Sequence, residues 1–258
     1  ISVVYLGDST DPNLDFETGE NGEKVFNWNM YERRENPNKP GEFEEGSFGA
    51  YTAVKAEGAS KDGSAAVHIS KPQAGDVQLY LQSIMLEVGG NTDYLLSYDA
   101  MAQGNKKGSL QICVRQYKNA YGDNVKDEAE AFKWVTDAYE YGSFDWKSCG
   151  GAFKTAKDAK FVKIWLVSNT SDAMDMYIDN VALTKTESID DPNLDFEYTA
   201  GGKPLNWSYV TSDGIASISA DKSVYYRGSS SLHIEKQYSR INYTTATMAK
   251  RINVNAGD

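Results

Sequence analysis

The sequence predicts an all-β chain, and three observations carry that prediction. First, "YLLSYDAM" (94–101), "SLQICVRQY" (109–117), "FVKIWLVS" (161–168) and "MYIDNVALT" (176–184) are short segments rich in β-branched and aromatic residues. Second, turn-forming clusters punctuate them: "GGNTD" (89–93), "QGNKKG" (103–108), "AYGDN" (120–124) and "SNTSD" (168–172). Third, 17 Tyr, 9 Phe and 5 Trp sit in a chain that is 40% hydrophobic and 24% charged, which is enough apolar matter for a packed core. Only "VKDEAEAFKWV" (125–135) has helical composition. It is short and lies between strand patterns, so it reads as a loop excursion with at most one helical turn.

Taken in order, residues 1–10 read as either the last strand of a preceding unit or an N-terminal edge strand. "DPNLDFE" (11–17) reads as an opening strand. Leu14 and Phe16 alternate with Asn13, Asp15 and Glu17, so the apolar pair is expected inward and the polar set outward. "ENPNKPGEFEEGSFG" (35–49) reads as a long surface loop. In "FVKIWLV", Val162, Ile164 and Leu166 share one face and read as core, while Lys163, Trp165 and Val167 share the other. In "LQICVRQY", Leu110, Ile112 and Val114 alternate with Gln111, Cys113, Arg115 and Tyr117. Trp165 beside a lysine on the face away from the core is therefore expected to be open, with Gln111, Arg115 and Tyr117 on the same kind of face. Trp28 reads as a core plug or as a cleft wall. Cys113 and Cys149 read as one disulfide or as two buried thiols.

The chain repeats itself. "DPNLDFE" returns letter for letter at 191–197, Trp28 is matched by Trp207, and "GSAAVHISK" (63–71) by "GSSSLHIEK" (228–236). "IMLEVGGNTD" (84–93) resembles "KRINVNAGD" (250–258). The expected organisation is a complete unit at 11–186, a linker at 187–190, and the first half of a second unit at 191–258 with no counterpart of 94–186. On this reading the chain is a window on a longer tandem array, and 191–258 is not an independently stable monomer because it lacks an opposite sheet.

Charge narrows function. With 37 acidic against 26 basic residues the formal net charge is −11, which argues against nucleic acid and against an anionic membrane surface. No apolar run reaches membrane-spanning length and the 258 residues contain no signal peptide; a start at Ile1 without an initiator methionine leads one to expect that something upstream has been removed or left out. Catalysis finds little support. The only histidines, His68 and His233, occupy repeat-equivalent positions in alternating strands and read as surface strand residues. There is no nucleophile elbow, phosphate loop or paired-histidine zinc motif. A repeated unit suits binding, where copies add avidity.

The ordered set of "NLDFE", a following Trp, a "GSxSLxI"-like strand, a "VGGNTDYLLS" strand and a closing "YIDNVAL" resembles carbohydrate-binding modules of families 4, 9, 16 and 22. The resemblance covers 11–186 fully and 191–258 in part. It implies a jelly-roll β-sandwich and a structural calcium held by Glu17 and Asp179, joined by a loop carboxylate, Glu57 or alternatively Asp62. It also implies a non-catalytic module of a larger exported, extracellular, bacterial protein. The expected partners are polysaccharide or oligosaccharide and other modules of the same polypeptide. Trp165, Arg115, Tyr117, Gln111 and Trp28 are the candidate sugar contacts, rings for the pyranose face and polar groups for the hydroxyls. The alternative is a structural or adhesive spacer without glycan binding.

Overall fold

The computed structural model describes residues 11–103, 110–135, 143–168, 170–186, 191, 193–211, 216–236 and 244–248. The expectations for residues 1–10, the linker 187–190 and the 250–258 repeat fall outside them.

Twelve strands build the sandwich: β1 (Trp28–Glu35), β2 (Phe43–Gly46), β3 (Thr52–Glu57), β4 (Ala65–Lys71), β5 (Val77–Ser83), β6 (Leu86–Glu87), β7 (Asp93–Ala102), β8 (Gln111–Tyr117), β9 (Phe132–Trp134), β10 (Phe144–Lys154), β11 (Phe161–Ser168) and β12 (Met174–Lys185). The first sheet runs β2-β1-β5-β11-β8-β9, with β6 also paired to β11; the second runs β10-β7-β12-β4-β3. From β7 to β12 the chain alternates between the sheets except for β8 and β9, which are neighbours in the first, and the pairings within both are antiparallel. This is the all-β sandwich that the strand and turn pattern predicts. Alternation decides the core. Leu79, Leu81, Ile112, Val114, Val162, Ile164 and Leu166 from the first sheet meet Val67, Ile69, Leu96, Tyr98, Ala100, Met176 and Ile178 from the second, all buried.

Three local expectations are corrected. Residues 35–49 are not simply a loop, because Phe43–Gly46 folds back on β1 in register from Glu35↔Phe43 to Glu32↔Gly46. The buried carboxylate of Glu32 then gathers the return of the chain, accepting from the amides of Phe48, Gly49 (2.8 Å) and Tyr51 (2.6 Å). Residues 125–135 form turns that end in β9, and no described residue of the chain is helical.

The third correction concerns "DPNLDFE". It is a coiled turn, and Asn13, expected outward, is fully buried. Asp11 Oδ1 accepts from Asn13 N at 2.9 Å, an Asx turn that reverses the chain. The Asn13 amide then donates to the carbonyls of Thr18 (3.3 Å) and Phe26 (3.0 Å) and accepts from Thr18 N (2.9 Å). Its own carbonyl takes the Trp28 indole N–H at 3.1 Å. This clamp holds Phe16 at φ 58°, a left-handed conformation costly for an aromatic residue, with its ring buried 5.4 Å from that of Trp28. Glu17 closes the turn on Ser64 N (2.7 Å), Ser64 Oγ and Ala65 N (2.9 Å). The preceding Gly63 stands at φ 91°, a conformation that side chains rarely adopt, and a Cβ there would also press on Glu17 Oε1 at 2.5 Å, so glycine is favoured.

The same construction appears at the second copy. Asp191 accepts from Asn193 N (2.6 Å), and Asn193 holds the carbonyls of Tyr198 and Leu205, both at 2.8 Å. Trp207 donates to Asn193 O (3.0 Å), Phe196 stands at φ 62°, and Glu197 accepts from Ser229 N (2.8 Å) and Ser230 N (3.2 Å). The first Asp, the Asn, the Phe and the Glu of the motif therefore have the same tasks in both places. Beyond it the described strands are β13 (Thr199–Ala200), β14 (Lys203–Pro204), β15 (Trp207–Thr211), β16 (Ala216–Asp221), β17 (Ser231–Lys236) and β18 (Thr244–Met248), which join in pairs only. The β13–β14 hairpin packs on the outer face of the second sheet. A Cβ on Gly201 would meet the Cys149 carbonyl carbon at 2.0 Å, and one on Gly150 would meet Gly201 N at 2.9 Å.

Candidate functional site

The outer face of the first sheet is built in rows set by strand register. Tyr31, Tyr80, Val167 and Gln111 form one row. Asn29, Gln82, Trp165, Cys113 and Trp134 form the next, followed by Lys163, Arg115 and Phe132. These positions alternate with core residues, so the strands that pack the sandwich present rings, amides and cations on the other side.

The rings are ordered. Tyr31 and Tyr80 stack at 4.9 Å with planes 5° apart. Trp165 stands edge-on to Tyr80 (5.8 Å, 86°), Tyr31 (6.3 Å, 89°) and Phe132 (5.8 Å, 85°). Phe132 in turn meets the half-exposed Trp134 at 5.1 Å. Arg115 lies over Trp165 at 5.4 Å and over Tyr117 at 5.8 Å. Tyr80 OH donates to Gln78 Oε1 at 3.0 Å. Burial, then the Glu45 charge and Tyr80, push the Tyr31 hydroxyl up to about 12, so it stays a neutral donor.

Trp165 lies on the face the alternation predicted, but it is not open. It is 6% exposed, at the centre of a small cluster separate from the main core, with Cys113 and Val167 beside it and Tyr31, Tyr80 and Phe132 around it. Its indole N–H is buried without a hydrogen-bond partner among the described residues. Gln111 and Tyr117 are also largely buried, and Arg115 is half-buried. Trp28 leaves the face entirely: it is the core plug, buried against Phe16. Half-exposed rings of the face include Tyr31, Tyr80, Phe132 and Trp134, with Phe43 on the edge strand β2. Tyr31 and Tyr80 are not among the candidate contacts of the sequence, although "VQLYLQS" alternates Gln78, Tyr80 and Gln82 against Leu79 and Leu81. Cys113 and Cys149 are free buried thiols, one on the outer face of the first sheet and one in the main core. His68 is the surface strand residue expected, stacked on Tyr177 at 4.5 Å and paired with Asp175 at 2.8 Å.

The carboxylates form a second constellation. Asp179, 1% exposed, accepts from the amides of Lys61 (3.0 Å) and Asn180 (2.7 Å). Burial raises its pKa, and the Glu17 charge raises it further, so the two carboxylates act on each other. For Glu17 burial pushes up, but the Ser64 and Ala65 hydrogen bonds and the Lys55 charge outweigh it and leave the group below the ordinary range. Asp99 is likewise lowered. Its burial is outweighed by hydrogen bonds from Ser148, Asn180 (3.0 Å) and Lys61 (3.1 Å). Glu57 does not join them: its half-exposed carboxylate lies 3.6 Å from Lys55 Nζ. Asp62 touches the group through Asn180 at 3.3 Å. Among the described residues no three His, Cys, Asp or Glu side chains converge as a metal set. Glu17 and Asp179 are thus two mutually repelling carboxylates, the second of them buried.

No family model and no curated relative matches the chain. Among solved structures, it is similar to the enzymatically active domain of tailspike protein 4 from bacteriophage CBA120, at TM-score 0.47 and 14% identity over 68% of this chain, and spans only 22% of that one. It is also similar to the CBM22-1 xylan-binding domain of Paenibacillus barcinonensis Xyn10C, at TM-score 0.43 and 13% identity over 67% of this chain and 92% of that one. A third, TmCBM61 in complex with β-1,4-galactotriose, gives TM-score 0.40 and 18% identity over 67% and 96%.

Proposed function

We propose that the chain is a non-catalytic glycan-binding module of an exported multimodular protein, binding sugar on the outer face of the first sheet. The observation that carries this reading is the half-exposed Tyr31–Tyr80 stack, flanked on one open sheet by Asn29, Gln78, Gln82 and Arg115. Flat rings offer contact to the C–H face of a pyranose, and amides and a guanidinium bond hydroxyls around it. Trp165 serves beneath as the support that fixes these rings. Glu17 and Asp179 are the pair that would hold a structural calcium, tying the opening turn to β12. The repeated opening turn at 191–207 supports a tandem of related units.

A spacer is the second reading, and the burial of Trp165 and the close backbone packing of Gly150 on Gly201 favour it. Affinity electrophoresis of the whole chain in soluble xylan, β-glucan, mannan and pectin separates the two. Retardation in any of these, abolished by Tyr80→Ala, supports glycan binding, while unretarded migration in all of them supports the spacer.

A further inference from the structure

Lys163 and Arg115 are directly opposite one another across the β8–β11 ladder, on the same outer face. Like charges in that position repel and weaken strand pairing. Neither side chain has a carboxylate within ion-pair distance among the described residues; Arg115 rests only on the rings of Trp165 and Tyr117. Both are half-buried, which adds a desolvation cost. Burial of Lys163 and the charge of Arg115 both lower the lysine's pKa. Acids are not scarce, since the chain has 37 of them. Elsewhere on the face a cation is provided for: Arg33, beside Glu45 in register, lies over Phe43 at 4.2 Å. A two-cation site without an anion remains, next to the Trp165 cluster.

Building on the glycan-binding reading, we infer that the ligand carries carboxylates: it is a uronate-containing glycan whose acid groups are received by Arg115 and Lys163. A uronic acid pairs a flat C–H face with a planar carboxylate. The Tyr31, Tyr80 and Phe132 rings suit the first. The Arg115 guanidinium suits the second, because its fork of N–H donors matches two carboxylate oxygens and Lys163 adds a point charge. Sulfate esters would offer the same sign of charge without the planar geometry.

The test uses the 258-residue chain in affinity electrophoresis with three uronate polymers, polygalacturonate, alginate and glucuronoxylan. Each is run beside its carboxyl-reduced counterpart, with dextran sulfate as a second anion. Retention by at least one uronate polymer about tenfold stronger than by its reduced form is expected. Arg115→Gln should lose that preference. Lys163→Gln should weaken it while raising the melting temperature of the free protein, because the repulsion is gone, and this keeps the test alive if Arg115→Gln fails to fold. Equal retention by native and reduced polymers overturns the inference and leaves the glycan reading standing. Retention by dextran sulfate matching that by the best uronate overturns the choice of carboxylate. Retention by none of these polymers, nor by the neutral glycans, overturns both readings.

Discussion

Trp165 stands edge-on beneath Tyr80, ring centroids 5.8 Å apart and planes at 86°, so a buried ring of the face braces one of the half-exposed ones. Truncating the two should have different effects. Trp165→Ala removes a buried ring whose place the backbone cannot fill and should cost roughly 3–5 kcal/mol in denaturant unfolding. Tyr80→Ala should cost distinctly less stability and remove glycan retention. A Trp165→Ala chain as stable as the parent would show that the cluster carries no packing.

The Glu17–Asp179 pair makes a calcium prediction. Binding only the folded state adds stability by mass action, so chelation should lower the melting temperature and added calcium should restore it. Asp179→Asn should erase the difference between the two conditions. A melting temperature indifferent to chelator and to calcium removes the metal from the proposal.

Acid should separate two neighbouring carboxylates. Asp99 is held below the ordinary range, so its contribution is present above its unfolded value and is lost as pH falls through the folded one. Asp179 is raised, so its contribution is present below its unfolded value and is lost as pH rises through the folded one. Asp99→Asn should therefore destabilise by about 1–3 kcal/mol near neutrality and flatten the acid limb. Asp179→Asn without calcium should cost least near neutrality and most in acid. Parallel pH profiles for the two variants would contradict this assignment.

Glycine packing gives a fourth prediction. Gly201→Val places atoms inside the Cys149 backbone and should undock the β13–β14 hairpin. Limited proteolysis should then cut near residue 200 faster, while the unfolding transition of the 11–186 sandwich stays where it was. Unchanged cleavage would mean that the docking does not protect the hairpin.

Much of the sandwich was legible because its strands alternate cleanly. Val162, Ile164 and Leu166 face inward for the reason their spacing gives, and Trp165 and Lys163 face outward for the same reason. Alternation could not show that Trp165 is covered. Its neighbours Tyr31, Tyr80 and Phe132 arrive from strands distant in sequence, and only the β1-β5-β11-β8-β9 order brings them together. "DPNLDFE" misled in the opposite way. Its alternating letters imitate a strand, while the Asp11 and Asn13 side chains compete for the backbone and coil it. The resemblance points to Glu57 as a loop carboxylate, but Glu57 ends strand β3 and its carboxylate lies 3.6 Å from the Lys55 ammonium.

The hairpin of the second copy rests on Gly150, Ser148 and Asp99, on the sheet that does not carry the Tyr31–Tyr80 stack. The molecule therefore has a front and a back. Among the described residues, the backbone contact between Gly150 and Gly201 fixes the hairpin to the back, as a tile is set on its bed, and the tyrosine stack lies on the other side. A segment fastened to the back does not compete for whatever meets the front.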